Sequence, residues 1–433
     1  MAQCLGEVPC FAWADAQDDN GLVHLKEEVQ TMATIFPSKP TDDYPTDAHV
    51  IRDPHTRADQ NKRDALSTGL LRQRAIQRVI TLLTGLPHTN QELRPSSPFS
   101  NLASSGLALV HGYLCCEKAL QWPWPWWGRC LLLVTGWALV LSALRNFRLP
   151  NRHAASHAAF PGDERVNYWI GEILSAFLLT APMSRYINSH VAGASKPHHQ
   201  WKTLMTPGES TYEEIRALGF LPGVPNAENW SHLRRLLLSP RFYGQALAAS
   251  LHDAFCTGTR LERAFTTSVW LLLLLIALAT HHLLVVLVAY SVPRVLYEGC
   301  QVLRVLIEHT FADPGCPRTL AAYRTMTSAI ILAEPVPALA ADANSLERTI
   351  KWAAWGFKML LHLGARVFIA TGDTVNHYTH HVRPGASFIN HESERMTLVL
   401  EGHAIPSNWG LVAAIDAFFT SLSKQRWDLF SAD

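Results

Sequence analysis

The chain has 433 residues, 48% of them hydrophobic, and its 37 basic and 36 acidic side chains leave a formal net charge of +1. A chain without a basic excess is not expected to bind nucleic acid, and this apolar content excludes an intrinsically disordered protein. The unusual number is 21 histidines, so the interpretation depends on where those histidines lie.

Residues 1–100 are polar and rich in proline, aspartate, threonine and arginine. Apolar positions at helical spacing predict one helix among them, at about Asp59–Leu86. We expect a polar N-terminal extension in the cytosol. The composition leaves open whether this extension folds separately.

Two apolar runs follow, Leu102–Leu120 and Cys130–Leu144, separated by the segment QWPWPWW at 121–127. Tryptophan is concentrated where membrane proteins meet the lipid headgroups, so this segment predicts a turn at a membrane surface. Beyond the second run lies a basic flank typical of the cytoplasmic side, formed by Arg145, Arg148 and Arg152. The two runs are therefore predicted to be antiparallel spanning helices.

The segment Ala264–Val292 carries no formal charge and is long enough for one spanning helix of about 20 residues. His281 and His282 would then lie near the middle of the bilayer, where imidazoles are costly. We therefore predict a helical hairpin with this histidine pair at its turn.

A further apolar stretch, Ala353–Ala370, has a different pattern, because Lys358, His362 and Arg366 recur at every fourth position. Such a polar stripe on one side of an apolar helix is typical of an amphipathic helix. We expect this helix to face the cytosol or lie at the membrane surface, without crossing the membrane.

The clustered histidines fall in four places: His153 with His157, His190 with His198 and His199, His309 after Glu308, and His377 with His380 and His381. Histidines four residues apart lie on one face of a helix, where both imidazoles can bind one metal ion. The H-x2-HH triple is the specific signal, because chance is expected to produce it far less than once in this chain. So many imidazoles suit two borderline metals, iron first and zinc or copper second.

Sequence motifs typical of other enzymes and nucleotide-binding proteins are missing. The sequence contains no E-x-x-H, which disfavours the soluble carboxylate-bridged diiron bundle. It also contains no G-x-S-x-G, Walker A or G-x-G-x-x-G motif, which disfavours the common hydrolase, P-loop and dinucleotide-binding folds.

From about the first apolar run to His391, the chain resembles the membrane fatty-acid desaturase/hydroxylase superfamily, the histidine-box non-haem diiron enzymes. The segment from Arg152 to His157 looks like the first box, and the segment from Asn376 to His381 resembles the third. The segment from Arg304 to His309 is similar to the family's R-x3-E-H segment. The resemblance implies nine metal-ligating histidines: His153, His157, His190, His198, His199, His309, His377, His380 and His381.

The second box departs from the family pattern. The family has H-x2-HH, whereas residues 191–197 separate His190 from His198 and His199 here. His190 either reaches the metal from before a loop or has left the site.

The resemblance also implies a topology, because all the boxes must meet on one side of the membrane. An even number of crossings must then lie between His199 and His309, which again favours a hairpin for Ala264–Val292. The implied fold is an all-α integral membrane protein with about four transmembrane helices in two hairpins. A cytosolic helical cap would hold the diiron site. The predicted domains are the extension at 1–100, the membrane and histidine-box domain at 101–400, and a C-terminal tail at 401–433.

The activity implied by the resemblance is desaturation of a fatty acyl chain, with two non-haem irons and O2 as co-substrate. Hydroxylation or oxidative decarboxylation on the same scaffold is the alternative. The substrate could be linked to CoA, a carrier protein or a lipid. No nucleotide-binding or cytochrome b5 motif is present, so a separate ferredoxin, rubredoxin or cytochrome would supply electrons. The alternative of another class is a histidine-rich membrane metal transporter, which would place its histidines inside the spans.

Overall fold

The structure is a computed structural model, and it describes residues 53–68, 73–89, 91, 93, 95–190, 204–207, 209–316, 319, 326–340, 342, 344–383 and 388–426. All of these residues lie within one compact unit, Ala48–Asp433. This part of the chain is mostly helical. Its α-helices are α1 (Pro54–Thr68), α2 (Gln73–Thr84), α3 (Pro98–Gln121), α4 (Trp126–Asn146), α5 (His153–Ser156), α6 (Glu164–Leu178), α7 (Met183–His190), α8 (Ser210–Ala217), α9 (Asn226–Leu237), α10 (Pro240–Cys256), α11 (Arg260–Ala279), α12 (Leu283–Glu308), α13 (Ser345–Phe368), α14 (His377–Val382), α15 (His391–Leu400) and α16 (Leu411–Ser423). Two short parallel strands, β1 (Ala329–Ile331) and β2 (Ser407–Trp409), form the sheet found among these residues.

Among the described residues, three helical segments are long and apolar enough to cross a membrane: Trp126–Ser156, Arg260–Ala279 and Leu283–Glu308. Large apolar side chains on them face outward, with Leu131 64% exposed and Leu275 61% exposed. Apolar surface on this scale is typical of contact with lipid. These features indicate an integral membrane protein.

The first predicted hairpin is present as α3 and α4, which pack against each other along their length. Two glycines allow the close approach, because a Cβ atom at Gly112 would lie 2.8 Å from the carbonyl oxygen of Gly136. Small residues at such contacts are a common feature of helix pairs in membranes. Helix α3 has 24 residues, but its polar side chains leave it outside the three segments above.

The second hairpin consists of α11 and α12, as the sequence predicts, with its turn at Thr280–His282. His281 has a positive φ of 58°, and the Nδ1 atom of His282 lies 2.7 Å from the hydroxyl oxygen of Tyr113 on α3. The indole of Trp137 on α4 donates to the carbonyl of Val288 on α12 over 2.9 Å. The histidine pair therefore has a structural role at the contact between the hairpins.

A π-helical turn, Phe147–Arg152, carries α4 directly into α5. Pro150 has no N–H group, so it cannot donate to the carbonyl of Asn146 as a regular helix would require. The side chain of Asn151 donates to that carbonyl instead, over 2.9 Å. Asn151 is fully buried and its amide nitrogen lies 3.3 Å from the hydroxyl oxygen of Ser105. This side-chain hydrogen bond holds the turn in place and so fixes the direction of the chain at His153.

The end of the polar extension packs on the rest of this unit. The predicted single helix is replaced by α1 and α2, and residues 69–72 between them lie outside the described residues. Arg63 on α1 is buried and donates to the carbonyl of Leu86 over 2.7 Å. Asp59 accepts a hydrogen bond of 2.9 Å from the indole of Trp409.

The main apolar core lies beside the end of α12 and includes α16, from the region expected to be a C-terminal tail. Phe418, Phe419 and Leu422 on α16 are fully buried against Val305 and Leu306 on α12. Burying aromatic and aliphatic side chains of this size contributes about 1.5–3 kcal/mol each to folding. The last turn of α12 is therefore held rigidly, and the candidate site begins at the residue where this helix ends.

Candidate metal centre

Three buried histidines converge on one point. The Nε2 atoms of His309 and His381 are 3.0 Å apart, those of His377 and His309 are 3.1 Å apart, and those of His381 and His377 are 2.9 Å apart. Each side chain is at most 5% exposed. Within the described part of the chain, this is the group of three potential ligands that could hold a metal ion.

Local structure brings the three together. His377 begins α14 and His381 lies one turn later, so both imidazoles project from the same face. His309 follows the last residue of α12 in an extended conformation and forms a β-bridge with Thr327. The membrane-spanning α12 therefore delivers one ligand, and the short helix α14 delivers two.

A second pair of histidines comes from α5 and the residue after it. The rings of His153 and His157 have centroids 5.0 Å apart, and the Nδ1 atom of His153 lies 4.0 Å from a carboxylate oxygen of Asp373. Asp373 belongs to the 3-10 turn Gly372–Asn376, which leads directly into His377. Burial, together with the nearby charge of Glu308, raises the pKa of Asp373 to about 7. One short turn thus connects the pair on α5 with the three converging histidines.

The Asn376 side chain holds the start of α14 in place. Its amide nitrogen donates to the carbonyl of Gly85 over 2.8 Å and to the Nδ1 atom of His391 over 2.8 Å. Its amide oxygen accepts from Arg395 over 2.9 Å. Both donors of the Asn376 amide are thus used on Gly85 and His391. Burial lowers the pKa of His391 to about 4, so this ring is neutral at pH 7 and accepts the hydrogen bond.

A buried polar network surrounds the last turn of α12. Arg304 forms an ion pair with Glu308 and donates to Gln301 over 3.1 Å. Arg145, at the end of α4, donates to the same Gln301 oxygen over 3.1 Å. The four-residue spacing of Arg304 and Glu308 was visible in the sequence, whereas the partnership of Gln301 and Arg145 required the fold.

A cleft of about 440 Å³ lies between the ends of α3 and α4 and the end of α13. Its wall is about half polar and includes Ser100, Ser142, Asn146, Thr371 and Gly372. The Thr371 hydroxyl is buried and has no hydrogen-bond partner among the described residues. The cleft therefore presents hydroxyl and amide groups at the ends of two helices of the membrane hairpin.

Four of the predicted ligands lie wholly or partly outside the described residues. His190 is the last residue of α7, and its side chain lies outside the described residues. The same holds for the side chain of His380, and both His198 and His199 lie outside the described ranges altogether. The structure therefore brings together His309, His377 and His381, and separately His153 and His157.

Sequence reasoning missed two residues that fix this arrangement, Gly85 and Arg395. Gly85 follows α2 with a positive φ of 62°, and a Cβ atom there would lie 2.5 Å from a methyl group of Val375. A glycine after a helix is a recognisable signal for a helix end, but its contact with a residue 290 positions away is not. The hydrogen bond from Asn376 to Gly85 joins residues that are 291 positions apart in the sequence.

The chemistry of the donors fits a transition metal. Neutral imidazole nitrogens bind zinc, copper, iron and nickel, and three of them leave positions open for other ligands. The three Nε2 atoms lie close enough together for one ion to bind all of them. Comparisons with protein-family models, curated proteins and solved structures find no match.

Proposed function

We propose that this chain is an O2-dependent membrane oxidoreductase that holds two irons and desaturates a fatty acyl chain. The observation that carries the proposal is the convergence of the His309, His377 and His381 Nε2 atoms to within 3.1 Å of one another, just beyond a candidate membrane span. Two bound irons would activate O2, the oxidant that takes two hydrogens from unactivated C–H bonds, and two electrons from a separate donor would complete the reduction of O2 to water.

Five described histidines have a place in this proposal. His309, His377 and His381 would hold one iron through their imidazole nitrogens. His153 and His157 would contribute to the second iron, with Asp373 beside them. The resemblance assigns His190, His198, His199 and His380 to complete the two sets.

The position of the site relative to the hairpins supports a lipid substrate. Both hairpins bring their open ends to the side where the histidines lie, and the tryptophan turn at 122–127 lies at the other end of α3 and α4. We count α3, which pairs with α4, as a fourth span beside the three candidate spans. We propose that this end faces the cytoplasm, as the basic residues Arg145, Arg148 and Arg152 in the sequence suggest.

The polar cleft offers a way for a substrate to reach the site from the membrane surface. Gly372 lines it and is the residue before Asp373, and Pro150 lines it three residues before His153. A hydroxyl- and amide-lined wall can bind a polar head group while the acyl chain extends from it. Electrons would come from a separate ferredoxin, rubredoxin or cytochrome.

Histidine position also separates this proposal from a metal transporter. A transporter needs ligands along the path through the membrane. The three converging histidines lie after the end of α12 and on α14, beyond the apolar segments. This placement supports a catalytic site in a cap.

The proposal is tested by mass spectrometry of lipids from a host that produces the chain. We expect an acyl product lighter by two hydrogens than its precursor, absent when the host produces His381→Ala. His403→Ala is the matched control, because this histidine lies away from the cluster and pairs with Glu401. A product heavier by one oxygen would replace desaturation with hydroxylation, and unchanged lipids in a host with a matched electron donor would overturn both.

A further inference from the structure

Helix α13 exposes its apolar side, whereas a helix on the surface of a soluble protein buries that side. Its apolar side chains face away from the rest of the chain, with Leu346 67%, Phe357 63%, Leu360 65% and Leu361 60% exposed. These positions recur at helical spacing, so they form one continuous stripe. Their exposure matches that of Leu275 on α11, which is 61% exposed on a candidate membrane span.

The polar side chains of α13 face the protein instead. Lys358 forms an ion pair with Glu334 over 3.2 Å, and the His362 ring lies 3.3 Å from the other oxygen of the same carboxylate. Arg366 is buried and donates to the carbonyl of Leu82 over 2.6 Å. His362 and Arg366 are thus enclosed by other segments, whereas Lys358 pairs with Glu334 and keeps a side chain that is 57% exposed. The apolar stripe lies on the outside.

The end of α13 is fixed at the end of a candidate span. Arg145, in the last turn of α4, donates to the carbonyl of Phe368 over 2.7 Å and to the carbonyl of Ile369 over 3.0 Å. Arg145 is the first charged residue after the uncharged stretch Cys130–Leu144. The C-terminal end of α13 therefore lies where the uncharged part of α4 ends.

We infer that α13 lies in the plane of the membrane surface, with its apolar stripe buried among the lipid acyl chains on the side that carries the metal centre. At about 1.5 Å per residue its 24 residues extend about 36 Å, so it would cover a broad strip of the bilayer surface. Interfacial helices of this kind bury their apolar face about 5–10 Å into the boundary between headgroups and acyl chains.

The flanks of the stripe fit the lipid–water boundary. Lys351 and Glu347 lie beside it and form an ion pair over 2.8 Å, and both are about two-fifths exposed. Long basic side chains at such positions extend their charged ends into water while their stems stay in the apolar layer. Trp352 lies on the same part of the helix and packs edge-on against Trp355, with ring centroids 5.4 Å apart. Tryptophan is favoured at this depth.

Lipid is a better occupant than a second copy of the chain or a soluble protein. The stripe is attached to the end of a span, so a bilayer that surrounds the spans necessarily reaches it. A soluble partner would have to cover apolar surface already at the membrane. The inference depends on membrane insertion alone and is independent of the proposed reaction.

Spin-label accessibility in the full chain tests this inference. Nitroxides are attached to Phe357→Cys and Leu361→Cys on the stripe, and to Lys351→Cys on the flank as the matched control. Cysteines Cys4, Cys10, Cys130, Cys256 and Cys316 are first replaced by serine. The chain is inserted in vesicles of phosphatidylcholine and phosphatidylglycerol. Oxygen concentrates in acyl chains and a nickel chelate stays in water, so the ratio of the two accessibilities at a label measures its depth in the bilayer.

We expect the ratio of oxygen to nickel accessibility to be at least about threefold higher at 357 and 361 than at 351, as burial by about 5–10 Å requires. Ratios equal to that of the flank would show that the stripe lies in water and would overturn the inference. Dipolar broadening between labels on different chains would assign the stripe to a second copy and would also overturn it. Photolysis of a phospholipid that carries a diazirine on its acyl chain tests the unaltered protein, with adducts expected at 346–361.

Discussion

The side chain of Asn376 donates a hydrogen bond to the backbone carbonyl of Gly85 over 2.8 Å. This bond joins the end of the polar extension to the residue before His377. Because the same amide nitrogen also donates to His391 and the amide oxygen accepts from Arg395, every polar atom of the side chain is satisfied. The extension is therefore part of the support of the candidate metal centre.

Gly85→Ala is expected to weaken this support. A Cβ atom at this position would lie 2.5 Å from a Val375 methyl group, and the positive φ of 62° disfavours any side chain. We expect a loss of about 1–3 kcal/mol in stability together with a lower metal content. Thermal unfolding of the purified protein and metal analysis measure these two effects.

Gly106→Ala is the matched control, because nothing lies within 4 Å of a Cβ atom at that position in α3. It should leave stability and metal content unchanged or slightly raise stability, since alanine favours the helix. Equal behaviour of the two variants would show that the contact between Gly85 and Val375 does not support the centre.

Asn151→Leu tests the π-helical turn before His153. The variant removes the side-chain hydrogen bonds to the Asn146 carbonyl and the Ser105 hydroxyl while keeping a similar side-chain volume. We expect a cost of about 1–3 kcal/mol and a lower metal content, because His153 follows the turn directly. Ser104→Ala, at an exposed serine whose hydroxyl bonds to Asn101, should change neither quantity in the same thermal and metal measurements.

The His391 ring predicts a dependence of stability on pH. Its pKa is lowered from 6.5 to about 4 by burial, so the folded state favours the neutral ring. The resulting stability is fully present above pH 6.5 and is lost as the pH falls from 6.5 through about 4.

Unfolding of the chelated, metal-free protein at pH 7, 6, 5 and 4 measures this effect. The wild-type chain should lose more stability across the series than His391→Asn, which cannot take up this proton. If stability falls equally with pH in the two proteins, His391 does not contribute to the pH dependence of stability.

Ser142→Trp tests the cleft as the route of the substrate. The larger side chain would occupy part of the 440 Å³ space between α4 and Thr371. We expect turnover to fall about tenfold or more, because displaced substrates lose alignment, while metal content stays unchanged. Leu131→Trp, on the exposed face of α4, is the control and should retain turnover. Full activity of Ser142→Trp would place the substrate route elsewhere.

Local patterns in the sequence were sufficient to predict some of the helices and part of the site. The spacing of His377 and His381 predicts their shared face, and the cost of burying His281 and His282 predicts the turn between α11 and α12. Both predictions depend on residues close together in the chain. Helix geometry decides the first outcome, and the cost of imidazoles in a membrane decides the second.

Contacts between distant segments could not be predicted in the same way. The periodicity of α13 shows that it is amphipathic, but the direction of its polar stripe depends on Glu334, which pairs with Lys358 and His362. The role of Gly85 depends on the path that brings it to Asn376. Such choices follow from tertiary packing, for which a single sequence carries no local signal.

The central claim is that His309, His377 and His381 hold iron, and the most direct test is the metal content of the purified chain. Protein from an iron-supplied host is compared with His381→Ala, and His403→Ala serves as the control. We predict about two irons per chain in the wild-type protein and the control, and at least about one fewer in His381→Ala, with membrane insertion intact. Unchanged iron in His381→Ala, or a single exchangeable zinc in the wild-type chain, would contradict the claim.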